Sequence, residues 1–181
     1  MSAQANKKID EQREKENRLT SLYDEYFDKI ARYIYVHIGD RNEAENLAGE
    51  VFLKALESLK SYKERGIPMQ AWLFRIAHNL VVDHLRKITK YKTIPIDTVQ
   101  IESGENPATI VEKKIKMEKI NEAMQKLTPG QREVVQLRFF GGLSSKEAGA
   151  MLKKSDGAVR EMQRAAIEKL RGLLTSGVSD F

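Results

Sequence analysis

A chain of 181 residues, 41% hydrophobic and 31% charged, has room for one sizeable domain or two small ones around a modest core. It contains no cysteine, which excludes a disulfide framework and thiolate metal sites. The net charge of +5 is unevenly spread: residues 113–181 carry fourteen Lys/Arg against eight Asp/Glu, whereas residues 91–112 carry one against four. A basic excess gathered at one end is the footprint expected of a nucleic-acid partner. No apolar run approaches the ~18 residues of a membrane span. The first eighteen residues also lack the apolar segment of a secretory signal. A cytoplasmic protein without membrane insertion is therefore expected.

Residues 1–18 are polar and charged and read as a tail. From Leu19 the apolar period becomes helical, with Leu22, Tyr23, Phe27, Ile30 and Ile34 at three- and four-residue steps until Gly39-Asp40 stops it. The aromatic residues follow the buried period and are read as core, and His37 stands isolated. A second helix spans about Asn42 to Lys60, with Ala44, Leu47, Ala48, Val51, Ala55 and Leu59 as its buried stripe. Its other face carries Glu45, Asn46, Glu50 and Leu53, with Phe52 at the border. Such a face suits protein docking better than DNA, although periodicity alone favours a merely solvated helix.

Residues 61–69 form a loop containing Tyr62, Lys63 and Arg65, aromatic and basic residues of the kind that hold single-stranded nucleic acid. The helix from Gln70 to Lys87 buries Leu73, Ile76, Ala77, Leu80 and Val81. It turns Arg75, His78, Asn79, Val82 and Arg86 to the opposite side, a stripe suited to backbone and base-edge contacts. Trp72 flanks that stripe, and His84 points to the apolar side as a packing residue. Between Ile88 and Glu112 the period collapses around Pro95, Gly104 and Pro107, leaving an acidic linker that could span roughly 80–90 Å when extended.

Helices resume at Lys113, with Ile115, Ile120, Ala123, Met124 and Leu127 as the packing residues. Thr128-Pro129 with Gln131 has the spacing of a capping box, and Val134, Val135, Leu137, Phe139 and Phe140 supply core. Gly141-Gly142 turns the chain into a second capping box, Ser144 with Glu147, which opens a short helix. Lys153-Lys154-Ser155 breaks that helix, and Ser155 caps the next. Its apolar side is Val159, Met162, Ala166 and Leu170; Gly157, Arg160, Glu161, Arg164 and Glu168 lie opposite. Two short helices joined by a tight turn, with arginines early on the second, read as a helix-turn-helix. Gly157 and Ala158 leave room for a phosphate backbone, and Arg160 and Arg164 could reach guanine edges. Thr175 to Phe181 reads as a terminal tail. No phosphate-binding loop, nucleophile turn or zinc helix appears, so neither enzyme activity, a metal nor a cofactor is expected.

In this order the elements resemble the extracytoplasmic-function group of bacterial sigma factors. The stretch Ala44-Glu45-Asn46-Leu47-Ala48-Gly49-Glu50-Val51-Phe52-Leu53-Lys54-Ala55 resembles the segment that grips the clamp helices of the polymerase β′ subunit. Residues 71–87, opening Ala71-Trp72-Leu73-Phe74-Arg75, are similar to the segment that recognises and opens the −10 element. Leu127-Thr128-Pro129-Gly130-Gln131-Arg132-Glu133-Val134, with Leu143-Ser144 and Ala158-Val159-Arg160, resembles the domain that reads the −35 element.

The resemblance implies an all-α protein of two small helical domains joined by a flexible linker, the C-terminal one a helix-turn-helix. Residues 19–87 would form the first domain, 88–112 the linker, 113–174 the second domain and 175–181 a tail. It implies polymerase binding through Glu45, Asn46, Glu50, Phe52 and Leu53, which replaces the solvated-face reading of that helix. Tyr62, Lys63, Arg65, Trp72, Arg75, His78, Asn79 and Arg86 would contact the −10 strand. Ser155, Gly157, Ala158, Arg160, Glu161 and Arg164 would contact the −35 duplex. The implied partners are core RNA polymerase (β′ clamp helices and β subunit), promoter DNA and an anti-sigma factor. Asn46, Gly49 and Glu161-Met162 depart from the residues usual in the group. The alternative is a free-standing dimeric helix-turn-helix regulator, which assigns no role to the 70–87 stripe or the linker.

Overall fold

The computed structural model describes residues 3–63, 66–91, 115 and 118–176. The linker reading falls almost wholly outside these residues, as does Arg65. Helix α1 runs from Ala3 to Ile38, so it begins well ahead of Leu19 and takes in most of the stretch read as a tail. No glycine or proline interrupts it, and Lys15 Nζ donates to the Tyr62 carbonyl at 2.9 Å, tying the extension to the loop after α2. Gly39 ends α1 with φ +77°, the left-handed conformation that glycine adopts without steric cost. Asp40 then caps α2 (Arg41–Ser58) by accepting from the Glu43 N–H at 2.9 Å.

Helix α3 spans Met69–Tyr91. Ala44, Leu47, Ala48, Val51, Ala55 and Leu59 are all buried, as their period requires, against Ile30, Tyr33 and Ile34 of α1 and Leu73, Phe74 and Ala77 of α3. A short helix over 118–125, here α4, precedes α5 (Pro129–Val135). Thr128 and Gln131 form the expected reciprocal cap at 3.2 Å in each direction. Helix α5 runs directly into a π turn, Gln136–Phe140, which widens the helix by one residue and rotates the residues after it. The expectation that Phe139 is core fails for this reason: its side chain is 57% exposed, while Leu137 is fully buried. Ile115 and Ile120 are likewise exposed, and Ala123 and Leu127 carry the α4 packing instead.

Ser144 and Glu147 cap α6 (Ser145–Leu152) as their spacing predicts. Lys153 turns the chain in the left-handed region at φ 56°, and Ser155 accepts from the Ala158 N–H to start α7 (Asp156–Ser176). Gly149 is required here: a Cβ on it would meet the Lys154 carbonyl oxygen at 2.6 Å. The small second core joins Leu127, Val135 and Ala166, with Met124 and Leu170 beside them.

The helical sets on either side of the linker do not stand apart. Helix α3 packs on α6, and α1 packs on the π turn. The main core is continuous across them, running from Tyr33 and Phe74 to Val134, Leu137, Leu143, Ala148 and Val159. Gly141 lies so close to Phe74 that a Cβ would stand 2.8 Å from the ring, a joint that only glycine permits.

Candidate nucleic-acid and protein interfaces

Helix α7 presents the basic surface. Val159 and Ala166 are buried beneath it, which leaves Ser155, Gly157, Ala158, Arg160, Glu161 and Arg164 on the outer side. Arg138, Arg160, Gln163, Arg164, Glu168 and Arg171 line an open groove along this side. Arg160 and Arg164 each already have a carboxylate neighbour. Arg160 Nη2 lies 2.9 Å from Asp156 Oδ2, and Arg164 Nη2 lies 2.5 Å from Glu161 Oε1 with Glu168 further along. The Arg164 guanidinium holds the Glu161 carboxyl below its ordinary range. Pairs this exposed are screened by water and hold their geometry weakly, so a phosphate or a guanine edge can take the carboxylate's place. Arg138 is different: it donates to Gln163 at 2.8 Å and to the Leu143 carbonyl, bracing the helix-turn-helix.

On α2, Glu45 and Asn46 are exposed and Glu50 is half-buried. Leu53 and Leu56 stand out at 63% and 55% exposure, an apolar pair beside the acidic residues. Phe52 does not belong to this surface. It is buried, its ring edge-on to Tyr23 at 4.9 Å and stacked on Phe27 at 6.3 Å. Those two rings of α1 draw the border residue inward, and Leu56 is the outward residue that the period had left unassigned.

The α3 stripe is divided. Asn79, Val82 and Arg86 face solvent, with Arg86 3.3 Å from Asp83. Arg75 does not: its Nη2 donates to the carbonyls of Ala150 at 3.1 Å and Met151 at 3.4 Å, the C-terminal end of α6. Nearby, Gln70 donates to Glu147 at 2.6 Å. His78 is half-covered as well. Tyr62 is corrected from a stacking residue to a packed one. It is buried, its hydroxyl donates to the Ile67 carbonyl at 2.9 Å, and its ring lies 4.6 Å from Trp72, itself half-buried. Lys63 is exposed. His84 lies half-buried 3.5 Å from Glu43.

Sequence reasoning missed a polar cluster where the helical sets meet. The fully buried Tyr33 donates its hydroxyl to Glu133 Oε1 at 2.5 Å, and His78 Nδ1 stands 3.1 Å from the same hydroxyl. His37, read as isolated, places Nε2 3.4 Å from Glu133 Oε2 and Nδ1 2.7 Å from the Tyr33 carbonyl. Burial alone would raise the Glu133 carboxyl, but hydrogen bonds from His37, His78 and Tyr33 hold it well below the ordinary carboxylate range. The hydrogen bond to Glu133 raises His78 against its own desolvation. Burial, reinforced by Glu133, lifts Tyr33 well above an ordinary phenol. The one local signal was the spacing of Tyr33 and His37, four residues apart on the face that α1 buries.

Residues 22–91 match the family described as Sigma-70 region 2, and residues 123–172 match Sigma-70, region 4. The ECF RNA polymerase sigma factor BldN of Streptomyces coelicolor is 35% identical over 156 residues, covering 84% of this chain and 59% of BldN. The chain thus spans somewhat under two thirds of that relative. The ECF RNA polymerase sigma factor SigD of Mycobacterium tuberculosis is 30% identical over 148 residues, covering 78% of this chain and 70% of SigD. In solved structures the fold is similar to that of the sigma factor RpoE from Bartonella quintana, crystallised with the anti-sigma factor NepR. That match has a TM-score of 0.60 at 21% identity, over 90% of this chain and 98% of RpoE. The regulator alternative accounts only for the second matched region and is not favoured. With both regions present in this order, the chain belongs to the ECF sigma factors of bacterial RNA polymerase.

Proposed function

We propose that the chain binds core RNA polymerase and directs it to promoters by reading −35 duplex DNA through α7 and by engaging the opened −10 element along α3. The observation that carries this reading is the presence on one short chain of two unlike solvent-facing surfaces. One is the arginine groove of α7, and the other is the acidic, Leu53- and Leu56-bearing face of α2. In this reading Arg160 and Arg164 meet guanine edges, and Ser155, Gly157 and Ala158 at the helix start meet the phosphate backbone. Glu45, Asn46, Glu50 and Leu53, joined by Leu56, form the polymerase-docking surface. Lys63, Asn79 and Arg86 supply accessible −10 contacts, and Arg75 and His78 join them once α6 is withdrawn. Strand opening then rests on capturing extruded bases, which offsets an unstacking cost of a few kcal/mol.

The chain is a specificity subunit in this reading, and phosphodiester chemistry stays with the polymerase. It acts where the polymerase is, in the cytoplasm, and no helix among the described residues is long and apolar enough to cross a membrane. We further take residues 19–87 and 113–174 as the two working modules and 88–112 as their tether. An anti-sigma factor is a proposed partner, supported by the complex in which the structurally similar RpoE was solved.

Purified chain added to core polymerase should produce promoter-dependent run-off transcripts. A chain that protects duplex operator DNA alone and adds nothing to polymerase would refute the reading. Arg160→Ala should weaken use of a −35 site by about 10- to 100-fold, the worth of a bidentate base contact, while core binding is unchanged. Equal loss of both would remove α7 from the promoter.

A further inference from the structure

Along residues 6–18 of α1 every side chain is exposed except Gln12 and Lys15, which are half-buried. At helical spacing Lys15 falls on the stripe of Leu19, Leu22 and Tyr26, all three of them buried. The face that α1 turns to the core thus continues beyond the core, with a cation where an apolar residue would otherwise stand. Its Nζ donates to the Tyr62 carbonyl at 2.9 Å, forty-seven residues on in the sequence. We propose that Lys15 is a positioning residue for −10 recognition, fixing through the Tyr62 carbonyl the start of the loop that presents Lys63. The inference deepens the function proposed above and rests on the −10 role given there to Lys63.

The tie falls where the winding of α2 gives out. The N–H groups of Ser61 and Tyr62 still donate back, to the carbonyls of Ser58 and Leu59 at 3.0–3.2 Å. The carbonyls at such an end have no donor from the helix itself and take one from elsewhere. An ammonium group suits the place twice over, since it donates the hydrogen bond and meets the negative end of the helix dipole. The rest of Tyr62 is committed inward. Its ring lies 4.6 Å from that of Trp72, and its hydroxyl donates to the Ile67 carbonyl at 2.9 Å.

Ring and hydroxyl fix the side chain of Tyr62, but they leave the peptide that follows it free to tilt. The Tyr62 carbonyl belongs to the plane that joins Tyr62 to Lys63, and that plane is rigid. Holding its oxygen therefore sets the direction in which the backbone of Lys63 departs. Lys63 is exposed, so no packing of its own side chain does this instead. Lys15 in turn is held by α1, which is rooted in the core one and two turns later by Leu19 and Leu22. The effect expected of Lys15 is on which base the loop accepts, not on how tightly polymerase is bound.

Trp72, the single tryptophan, reports on Tyr62 directly. In the free full-length chain Lys15→Met, which keeps a long stem and removes the donor, should raise acrylamide quenching of Trp72. Lys15→Arg keeps a cationic donor and should stay at the parent level, as should Lys8→Met, exposed on the same extension. The chains are then reconstituted with core polymerase and given a promoter library randomised across the −10 and −35 elements. Lys15→Met should flatten the base preference at a −10 position by about 3- to 10-fold, the worth of one hydrogen bond. Preferences at −35 and affinity for core should hold, and Lys15→Arg should recover the −10 preference. Far-UV circular dichroism verifies that the variants keep their helices; a Lys15→Met chain that loses them would make Lys15 a folding residue and overturn the proposal. Either readout unmoved in Lys15→Met overturns it too, as does a loss that Lys15→Arg does not recover or that Lys8→Met reproduces. A uniform fall across all −10 sequences, with a shallower salt dependence, would make Lys15 a phosphate contact instead. A parent chain giving no promoter-dependent transcripts would end the sigma reading, whereas Trp72 quenching would still show whether Lys15 holds the loop.

Discussion

Replacing Phe74 with alanine is expected to cost about 3–5 kcal/mol of stability, the usual range for deleting a buried aromatic ring. Phe74 is fully buried and lies edge-on to Tyr33 at 5.4 Å and to Tyr26 at 6.3 Å. Each such aromatic pair adds about 0.5–1.5 kcal/mol beyond the area it buries. The site has little freedom to collapse, because Tyr33 is fixed by Glu133 on one side and the Gly141 backbone closes the other. The ring is also the joint between α3 and the π turn, so its loss should loosen the two helical sets from each other as well as weaken the first. Urea denaturation should show a lowered midpoint and, with the joint gone, two separable transitions where the parent shows one. A loss of less than about 1 kcal/mol with a single transition would mean that the two sets are not held through this ring.

The second large effect belongs to Gly149→Val. At this position a Cβ would stand 2.6 Å from the Lys154 carbonyl oxygen, and the obstacle is backbone, which cannot swing aside as a lysine end can. The Lys154 N–H also donates to the Gly149 carbonyl at 2.9 Å, so the turn has no slack along its length. Forcing a branched side chain into this contact is expected to cost at least about 2–3 kcal/mol and to rotate α7 relative to α6, with loss of −35-dependent initiation. Gly157→Ala supplies the contrast: nothing lies within 4 Å of the added Cβ, and the change in stability should stay within about 0.5 kcal/mol. Thermal melting of both variants, then transcription from a −35-dependent promoter, checks the pair. Similar melting temperatures for the two would refute the contact.

Local rules carried a good part of the architecture. Both capping boxes, the glycine stop at Gly39, the buried stripe of α2 and the inward side of α7 come from spacing alone, because each is decided within one or two helical turns. The outward side of α7 was legible for the same reason. Four features were not. The π turn displaced Phe139 by one residue of winding, which no 3.6-residue period can announce. Tyr62 was read by chemical type, aromatic and therefore available, and Phe52 as the border of the outer α2 face, whereas burial against Trp72 and against Tyr23 and Phe27 decides their role. The Tyr33–His37–His78–Glu133 cluster joins residues about a hundred positions apart. The reading of α3 as an uncovered edge failed at Arg75 because the partner that covers it, α6, lies beyond the linker.

The carboxylates along α7 bear on how the chain would meet a polyanion. Over Asp156–Ser176 three acidic residues accompany four basic ones, and Asp156 and Glu161 sit directly on Arg160 and Arg164. These two arginines thus bring their own counterions, which are tethered and could not diffuse away on the arrival of DNA. Part of the free energy that solution cations gain on leaving the duplex goes into displacing these fixed anions, and sites that do not offset the exchange with base contacts are left weakly held. As the promoter-reading helix proposed above, α7 would in this sense be insulated against adhesion to arbitrary DNA, and its discrimination would rest on the fit to bases more than on its share of positive charge.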